Sequence, residues 1–89
     1  MKKIHVKIQN KLGLHARAAA KLVKLASQYK SFITLKKGSM DANAKSIMSV
    51  MMLAASYGTE LKIEIVGEDE NEVAQAIQAL FNRKFDEES

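Results

Sequence analysis

One short stretch carries side chains whose types and spacing could do chemistry, Gly13-Leu14-His15-Ala16-Arg17. The residues before it alternate between apolar and polar, as in a strand, and the residues from Ala16 onward follow a helical spacing. Gly13 supplies a flexible joint between the two patterns, so His15 is predicted to lie at or beside a helix N-cap. A neutral imidazole is a nucleophile that can carry a phosphoryl group. The stretch therefore predicts a phosphohistidine site, with an ordinary surface histidine as the alternative.

The predicted helix start would also serve as an anion receptor. The backbone N–H groups of Ala16, Arg17 and Ala18 have no partner inside the helix, and they lie at the positive end of the helix dipole. The guanidinium group of Arg17 adds a fork that suits phosphate oxygens. We expect these groups to stabilise a phosphoryl group on His15.

Two further motifs accompany this stretch, Asn43-Ala44-Lys45-Ser46-Ile47-Met48 and the turn Gly58-Thr59-Glu60. Together the three resemble the HPr family, the histidine-containing phosphocarrier proteins of the bacterial phosphoenolpyruvate-dependent sugar phosphotransferase system. The resemblance covers nearly the whole chain and implies one HPr-like phosphocarrier domain over residues 1–89. The family usually has proline after the arginine, whereas this chain has Ala18. Because alanine is the strongest helix former, we expect the site to persist with a less rigid first turn.

The resemblance implies a stoichiometric carrier and not an enzyme. Such a carrier accepts a phosphoryl group from phosphorylated enzyme I on His15 and passes it to the A-type domains of sugar-specific enzymes II. A carrier of the nitrogen-related branch of the system would use the same chemistry, and a regulatory anion-binding module that is never phosphorylated is a further alternative. A small phosphatase is disfavoured because the sequence offers no pair of catalytic groups with a water-positioning partner.

Ser46 is a second candidate site. The hydroxyl suits a helix N-cap, which is a structural role sufficient to explain a serine there. The resemblance implies in addition that Ser46 is phosphorylated by an ATP-dependent HPr kinase/phosphorylase. A phosphate at a helix N-terminus would be tolerated by the fold, while its charge would repel an acidic partner.

Composition limits the other classes of function. With 89 residues, 47% hydrophobic and 27% charged, the chain is typical of one small globular domain. No apolar run approaches the ~18 residues needed to span a bilayer, and no apolar segment follows Met1-Lys2-Lys3, so we expect a cytoplasmic protein without membrane insertion. The chain lacks cysteine, and its two histidines fall in different predicted elements. We therefore expect neither a metal site nor a cofactor.

Charge is distributed unevenly along the chain. Residues 1–45 carry a net charge of +10 and residues 46–89 carry −6. The basic half contains His15, which predicts an acidic partner surface. Nucleic acid is disfavoured because the basic residues are spread singly and no aromatic-rich RNA-binding strand is present. A carrier that exposes one face to several partners is expected to be a monomer.

Apolar periodicity predicts the order strand, helix, strand, strand, helix, strand, helix. The strands fall at about 2–8, 32–35, 40–43 and 60–66, and the first two helices at about 16–28 and 46–55. Asp69 and Glu72 have capping-box spacing ahead of the last helix, and residues 86–89 are predicted to fray. The predicted inward residues are Ile33, Leu35, Met40 and Ala42 in the hairpin, and Val73, Ala76, Ile77 and Leu80 in the last helix. The order indicates an α+β fold, and the resemblance implies an open-faced β-sandwich, a four-stranded antiparallel sheet with three helices on one face.

Two surfaces are predicted to bind partners. On the first helix, Lys24 lies on the polar face with Arg17, and Lys24 and Ser27 are predicted to dock an acidic partner, with an ordinary solvated face as the alternative. The second helix is apolar nearly all round, and Val50, Leu53 and Ala54 suffice as its buried stripe. Ile47, Met48 and Met51 would then form an exposed apolar docking patch, unless the helix is more deeply buried than this predicts.

Overall fold

The order of elements in the computed structural model, which describes residues 1–87, confirms the predicted βαββαβα pattern. The strands are β1 (Lys2–Lys7), β2 (Phe32–Lys37), β3 (Met40–Asn43) and β4 (Glu60–Val66). The helices are α1 (Ala16–Ala26), α2 (Ile47–Met52) and α3 (Glu70–Asn82), and a 3₁₀ turn follows at Lys84–Asp86. The first helix ends two residues before its predicted end.

The four strands form one antiparallel sheet in the order β1-β4-β2-β3. At the centre of the sheet, Ile63 of β4 pairs with Ile4 of β1 on one side and with Leu35 of β2 on the other. Successive side chains of a strand point to opposite faces, so the alternating apolar residues of β4 all face the helices. The open-faced sandwich expected from the resemblance is confirmed.

The core lies between the sheet and the three helices. Alanines line the buried face of α1, which packs mainly against α2 and α3, and α3 lies on the sheet and contributes the larger side chains. The fully buried residues of the helices are Ala18, Ala19, Leu22 and Ala26 of α1, Val50 of α2, and Val73, Ile77 and Phe81 of α3. This packing holds the segment between β1 and α1 at one end of the molecule.

The prediction of an inward, buried side chain is wrong for three residues. Met40 is exposed because it opens β3 beside the hairpin turn, at the outer edge of the sheet. Ala54 is exposed because the chain reverses there, with a positive φ of 50°. Ala76 is only half-buried, and Ala74 and Phe81 take the buried positions of α3 instead.

The predicted capping box at the start of α3 is also wrong. Asp69 is the N-cap, but its side chain makes no hydrogen bond to its own helix. Its carboxylate accepts hydrogen bonds from the amides of Lys30 and Ser31 at 2.9 and 3.0 Å, and from the Ser31 hydroxyl. The hydrogen bond from the Ser31 hydroxyl, followed by the one from the Lys30 amide, holds the pKa of Asp69 below its ordinary value. The carboxylate thus joins the α1–β2 loop to α3.

Candidate functional site

His15 lies at the N-cap of α1, as predicted. Its backbone is extended, with φ −72° and ψ 178°, and its side chain makes no capping hydrogen bond. Gly13 makes the turn before it with φ +64°, and the Leu14 amide donates to the Ala55 carbonyl oxygen at 2.9 Å. These backbone constraints fix the direction in which the imidazole leaves the chain.

The first turn of α1 presents amide groups that the fold does not use. The first helical hydrogen bond is from the Ala19 amide to the His15 carbonyl oxygen, at 2.8 Å. Within residues 1–87, the amides of Ala16, Arg17 and Ala18 donate no hydrogen bond. The first turn has no acidic residue, so the positive end of the dipole is not neutralised from within the helix. This arrangement suits an anion held beside His15.

The imidazole of His15 contacts a carboxylate from the far end of the chain. Its Nε2 lies 2.5 Å from Oε2 of Glu87, and Oε1 of Glu87 accepts a hydrogen bond from Nδ2 of Asn10 at 2.8 Å. Asn10 also donates to the Gly13 carbonyl oxygen at 2.8 Å. Glu87 and Asn10 thus join the loop before α1 to the segment after α3.

Burial and hydrogen bonding act on the carboxyl group of Glu87 in opposite directions. Burial raises its pKa, while the hydrogen bonds from Asn10 and His15, the charge of the His15 ring when it is protonated, and the charge of Arg17 lower it. The lowering effects prevail, so the pKa of Glu87 lies below its ordinary value. Glu87 is therefore a carboxylate at neutral pH.

The segment that carries Glu87, residues 84–87, is here called the hook. Lys84, Phe85 and Asp86 all have positive φ, between 57° and 61°, which costs about 1–2 kcal/mol for each residue other than glycine. Burial of the Phe85 side chain, whose ring lies edge-on to Phe81 at 4.8 Å, offsets about 1.5–3 kcal/mol of that cost. Nζ of Lys21 donates to the Phe85 carbonyl oxygen at 2.7 Å. The prediction that residues 86–89 fray is wrong for Asp86 and Glu87, while Glu88 and Ser89 lie outside the described residues.

The other predicted residues on α1 lie on its exposed side. Arg17 is exposed in the first turn, and its charge acts on Glu87. Lys24 lies about two turns further along, and Ser27 forms the C-cap of the helix. The structure brings His15 and Arg17 to the same helix end but leaves Lys24 and Ser27 outside the immediate site.

The second helix exposes the predicted apolar patch. Ser46 is its N-cap, and its Oγ accepts a hydrogen bond from the Ser49 amide at 3.3 Å. Val50 and Leu53 are buried, whereas Ile47, Met48 and Met51 are 40%, 71% and 44% exposed. The alternative of a more deeply buried helix is therefore wrong.

Three residues at this end of the molecule, Glu87, Asn10 and Leu12, were not predicted from the sequence. Leu12 is 70% exposed in the loop before His15 and adds to the apolar surface at this end. The acidic sequence after α3 was visible, but only the hook brings Glu87 to His15.

Among residues 1–87, no group of three or more potential metal ligands comes together, and no helix is long and apolar enough to cross a membrane.

The chain is similar to known proteins over almost its full length. The model of the family described as "PTS HPr component phosphorylation site" matches residues 2–83. The phosphocarrier protein HPr of Xylella fastidiosa is 51% identical over 82 residues, covering 92% of each chain. The phosphocarrier protein NPr of Shewanella violacea is 44% identical over 84 residues, covering 94% of this chain and 92% of the relative.

Solved structures agree in fold. The crystal structure of HPr-C-His from Thermoanaerobacter tengcongensis superposes with a TM-score of 0.96 at 44% identity and covers 100% of both chains. A crystal structure of an HPr dimer from the same organism gives a TM-score of 0.78, covering 98% of this chain and 100% of that one. Fold, sequence and the family match agree, and the chain belongs to the HPr family of phosphocarrier proteins of the phosphotransferase system.

Proposed function

We propose that this phosphocarrier accepts a phosphoryl group from phosphorylated enzyme I on His15 and transfers it to the A-type domains of sugar-specific enzymes II. The observation that carries the proposal is the first turn of α1. It places three amides without partners among residues 1–87 and the Arg17 guanidinium at the helix end that bears His15. These groups would hold the phosphoryl oxygens and compensate the charge of in-line transfer.

The proposed transfer uses Nδ1 of His15, because Nε2 contacts Glu87. The Nδ1 lone pair attacks phosphorus, the new P–N bond forms, and the bond from phosphorus to the donor imidazole breaks. The donor nitrogen recovers its lone pair, and the transfer needs neither a metal ligand nor an acid from this chain. Passing the group to an enzyme II domain is the same step in reverse. His15 is 30% exposed by side chain, which leaves an approach for both partners.

A carrier of the nitrogen-related branch is the second candidate. The NPr relative favours it, since that protein aligns with 94% of this chain. The two candidates share the His15 chemistry and differ in their partners. Comparing the rate of phosphoryl transfer from the enzymes I of the two branches distinguishes them, and the faster donor identifies the branch.

The test of the carrier function is intact-mass analysis after incubation with phosphoenolpyruvate, Mg²⁺ and a bacterial enzyme I. We expect one acid-labile phosphoryl addition on the wild type and on His5→Ala, and none on His15→Ala. The His5 variant is the matched control, because it removes the other histidine of the chain, which is exposed in β1. An unmodified wild type with enzymes I of both branches would leave the static anion-binding module as the function.

Partner docking is proposed for the exposed apolar patch of Ile47, Met48 and Met51, together with Lys24 and Ser27 of α1. An apolar patch flanked by cations fits a partner surface with an apolar centre and acidic rim. We expect Met48→Ser to raise the concentration of carrier that half-saturates enzyme I about tenfold. Phe32→Ser is the control, because Phe32 is 79% exposed but lies in β2. Equal effects of the two variants would contradict this docking surface.

Ser46 is proposed as a regulatory site for an HPr kinase/phosphorylase. Its hydroxyl lies at the start of α2, next to the docking patch, so a phosphate there would bring two negative charges to the surface that meets acidic partners. The test is incubation with ATP and such a kinase. We expect a second phosphoryl addition, which is acid-stable and absent from Ser46→Ala.

We also propose that the carrier acts as a monomer, because His15 must be approached by two partners in turn, and sedimentation tests this against a dimer.

A further inference from the structure

The contact between Glu87 and His15 goes beyond what the proposed transfer requires. Both carboxylate oxygens of Glu87 are used, Oε1 by Asn10 and Oε2 by the imidazole. The Glu87 side chain is only 12% exposed, although it belongs to a segment at the surface. Three consecutive residues in left-handed conformations deliver it there. Backbone strain of this kind persists where surrounding contacts hold it and is concentrated at functional sites.

We propose that Glu87 is a positioning residue for phosphoryl transfer, which holds His15 with its proton on Nε2 and balances the positive charge of the phosphorylated ring. This inference rests on the proposed carrier function. It assigns a role to a residue outside the stretch that carries the nucleophile.

The chemistry of the two groups fixes the direction of the hydrogen bond. An ionised carboxylate can only accept, so Nε2 of the imidazole must donate. A neutral imidazole has a single N–H, and its other nitrogen, Nδ1, then keeps its lone pair. Within residues 1–87, Nδ1 of His15 forms no hydrogen bond, which leaves it available for attack.

The carboxylate also acts on the product of the transfer. When Nδ1 bonds to phosphorus, the ring keeps its Nε2 proton and becomes an imidazolium cation. Glu87 accepts from that N–H throughout, so its negative charge faces the cation from the side opposite the phosphoryl group. A carboxylate behind a histidine in this way orients the ring and stabilises its charged form. Arg17, on the exposed side of the first turn, supplies the positive charge for the phosphoryl oxygens.

Two other roles for Glu87 give opposite results and can be separated. A carboxylate that plugs an anion site would slow phosphoryl uptake, so its removal would speed transfer. A purely structural contact would change stability and leave transfer unchanged. A positioning residue has to change both the transfer rate and the state of the Nε2 proton.

The experiment compares full-length wild type with Glu87→Ala, Glu87→Gln and Asp86→Asn. The glutamine variant keeps an acceptor but removes the charge. Asp86→Asn is the matched control, because it removes the neighbouring charge of the hook, which pairs with Arg83 and Lys21 and does not contact His15. The two readouts are the rate of phosphoryl transfer from phosphorylated enzyme I and the ring resonances of ¹⁵N-labelled His15.

We expect transfer to fall about tenfold in Glu87→Ala, to a lesser extent in Glu87→Gln, and not at all in Asp86→Asn. The Nε2 proton of His15 is expected to be protected from exchange in the wild type, Glu87→Gln and Asp86→Asn, and to be lost from the spectrum in Glu87→Ala. Unchanged or faster transfer in both Glu87 variants overturns the proposal, as does a wild-type proton on Nδ1. If the wild type accepts no phosphoryl group, the carrier function itself fails, while the His15 spectrum still decides whether Glu87 holds the ring.

Discussion

The helices α1 and α2 differ in how the side chain at the N-cap deals with the unpaired amides of the first turn. At α2, the Ser46 hydroxyl accepts a hydrogen bond from the first turn of its own helix. At α1, the His15 ring turns to Glu87, and the first-turn amides donate to no group within residues 1–87. A side-chain cap contributes about 1 kcal/mol, so α1 lacks a stabilisation that α2 has. The start of α2 serves the fold, whereas the start of α1 is left open to a ligand.

The largest expected effect comes from the turn that aims His15. A Cβ atom on Gly13 would lie 2.5 Å from the Ala55 carbonyl oxygen, at a φ of +64°. We expect Gly13→Ala to lower the free energy of unfolding by about 3 kcal/mol, because backbone strain and a backbone clash add. Gly38→Ala is the control, with a φ of +59° and nothing within 4 Å of its Cβ, and it should lose about 1 kcal/mol. Equal losses in denaturant titrations would show that the approach to Ala55 does not constrain the start of α1.

The next effect tests whether α1 is arranged for an anion. Arg17→Ala is expected to slow phosphoryl uptake from phosphorylated enzyme I about tenfold, because the guanidinium hydrogen bonds to the phosphoryl oxygens are lost. The uptake rate of Arg17→Lys should lie between those of the wild type and Arg17→Ala, because lysine keeps the positive charge but lacks the two-pronged guanidinium group. Lys24→Ala removes a cation from the same helix about two turns away and should act through partner affinity alone. A rate loss in Lys24→Ala equal to that in Arg17→Ala would contradict a special role for the first turn.

At the start of α2, the N-cap hydrogen bond of Ser46 is expected to contribute to stability. Ser46→Ala should lower the free energy of unfolding by about 1 kcal/mol, because the Ser49 amide loses its acceptor. Ser49→Ala leaves that amide and its acceptor in place, and it should stay within about 0.5 kcal/mol of the wild type. Thermal unfolding measures both. If Ser46→Ala were as stable as Ser49→Ala, the contrast between the two helix starts would be lost.

The start of α3 offers a third arrangement, which acid can test. The pKa of Asp69 lies below its ordinary value of 3.8, because the Ser31 hydroxyl and the Lys30 amide donate to its carboxylate. The ionised carboxylate therefore contributes stability in full above the unfolded pKa, and this contribution is lost as pH falls through the lower folded pKa. We expect the stability of the wild type to fall more steeply on acidification than that of Asp69→Asn. If the free energy of unfolding depended on pH in the same way in both proteins, the proposed contribution of the Asp69 carboxylate would be contradicted.

The smallest expected effect concerns the position where the family usually has proline. The Ala18 amide donates no hydrogen bond within residues 1–87, so Ala18→Pro breaks no bond of the helix. Its side chain is fully buried, however, and the larger ring must be accommodated. We expect stability to change by less than about 1 kcal/mol, since the stiffer unfolded chain offsets the tighter packing. A large loss would show that the core around α1 has adapted to alanine.

The strands and the helix starts could be predicted because they depend on local sequence patterns. The alternation of Glu60–Val66 predicts a strand and its inward face, and the change of period at Gly13 predicts His15 at a helix start. The contact between His15 and Glu87 could not be predicted in this way, because 72 positions separate the two residues. It depends on left-handed backbone at three residues of the hook, and Lys84 and Phe85 have no local preference for that conformation. The capping box at Asp69 failed for a related reason, since its carboxylate bonds to a loop 38 residues earlier.

The exposed methionines of α2 have a consequence for oxidation chemistry. The chain has no cysteine, so thioethers are the sulfur atoms that an oxidant can reach, and Met48 and Met52 are 71% and 72% exposed. Conversion to the sulfoxide makes an apolar side chain polar and is reversible by reductases. Oxidative stress would therefore turn this surface hydrophilic while leaving the imidazole of His15 chemically intact.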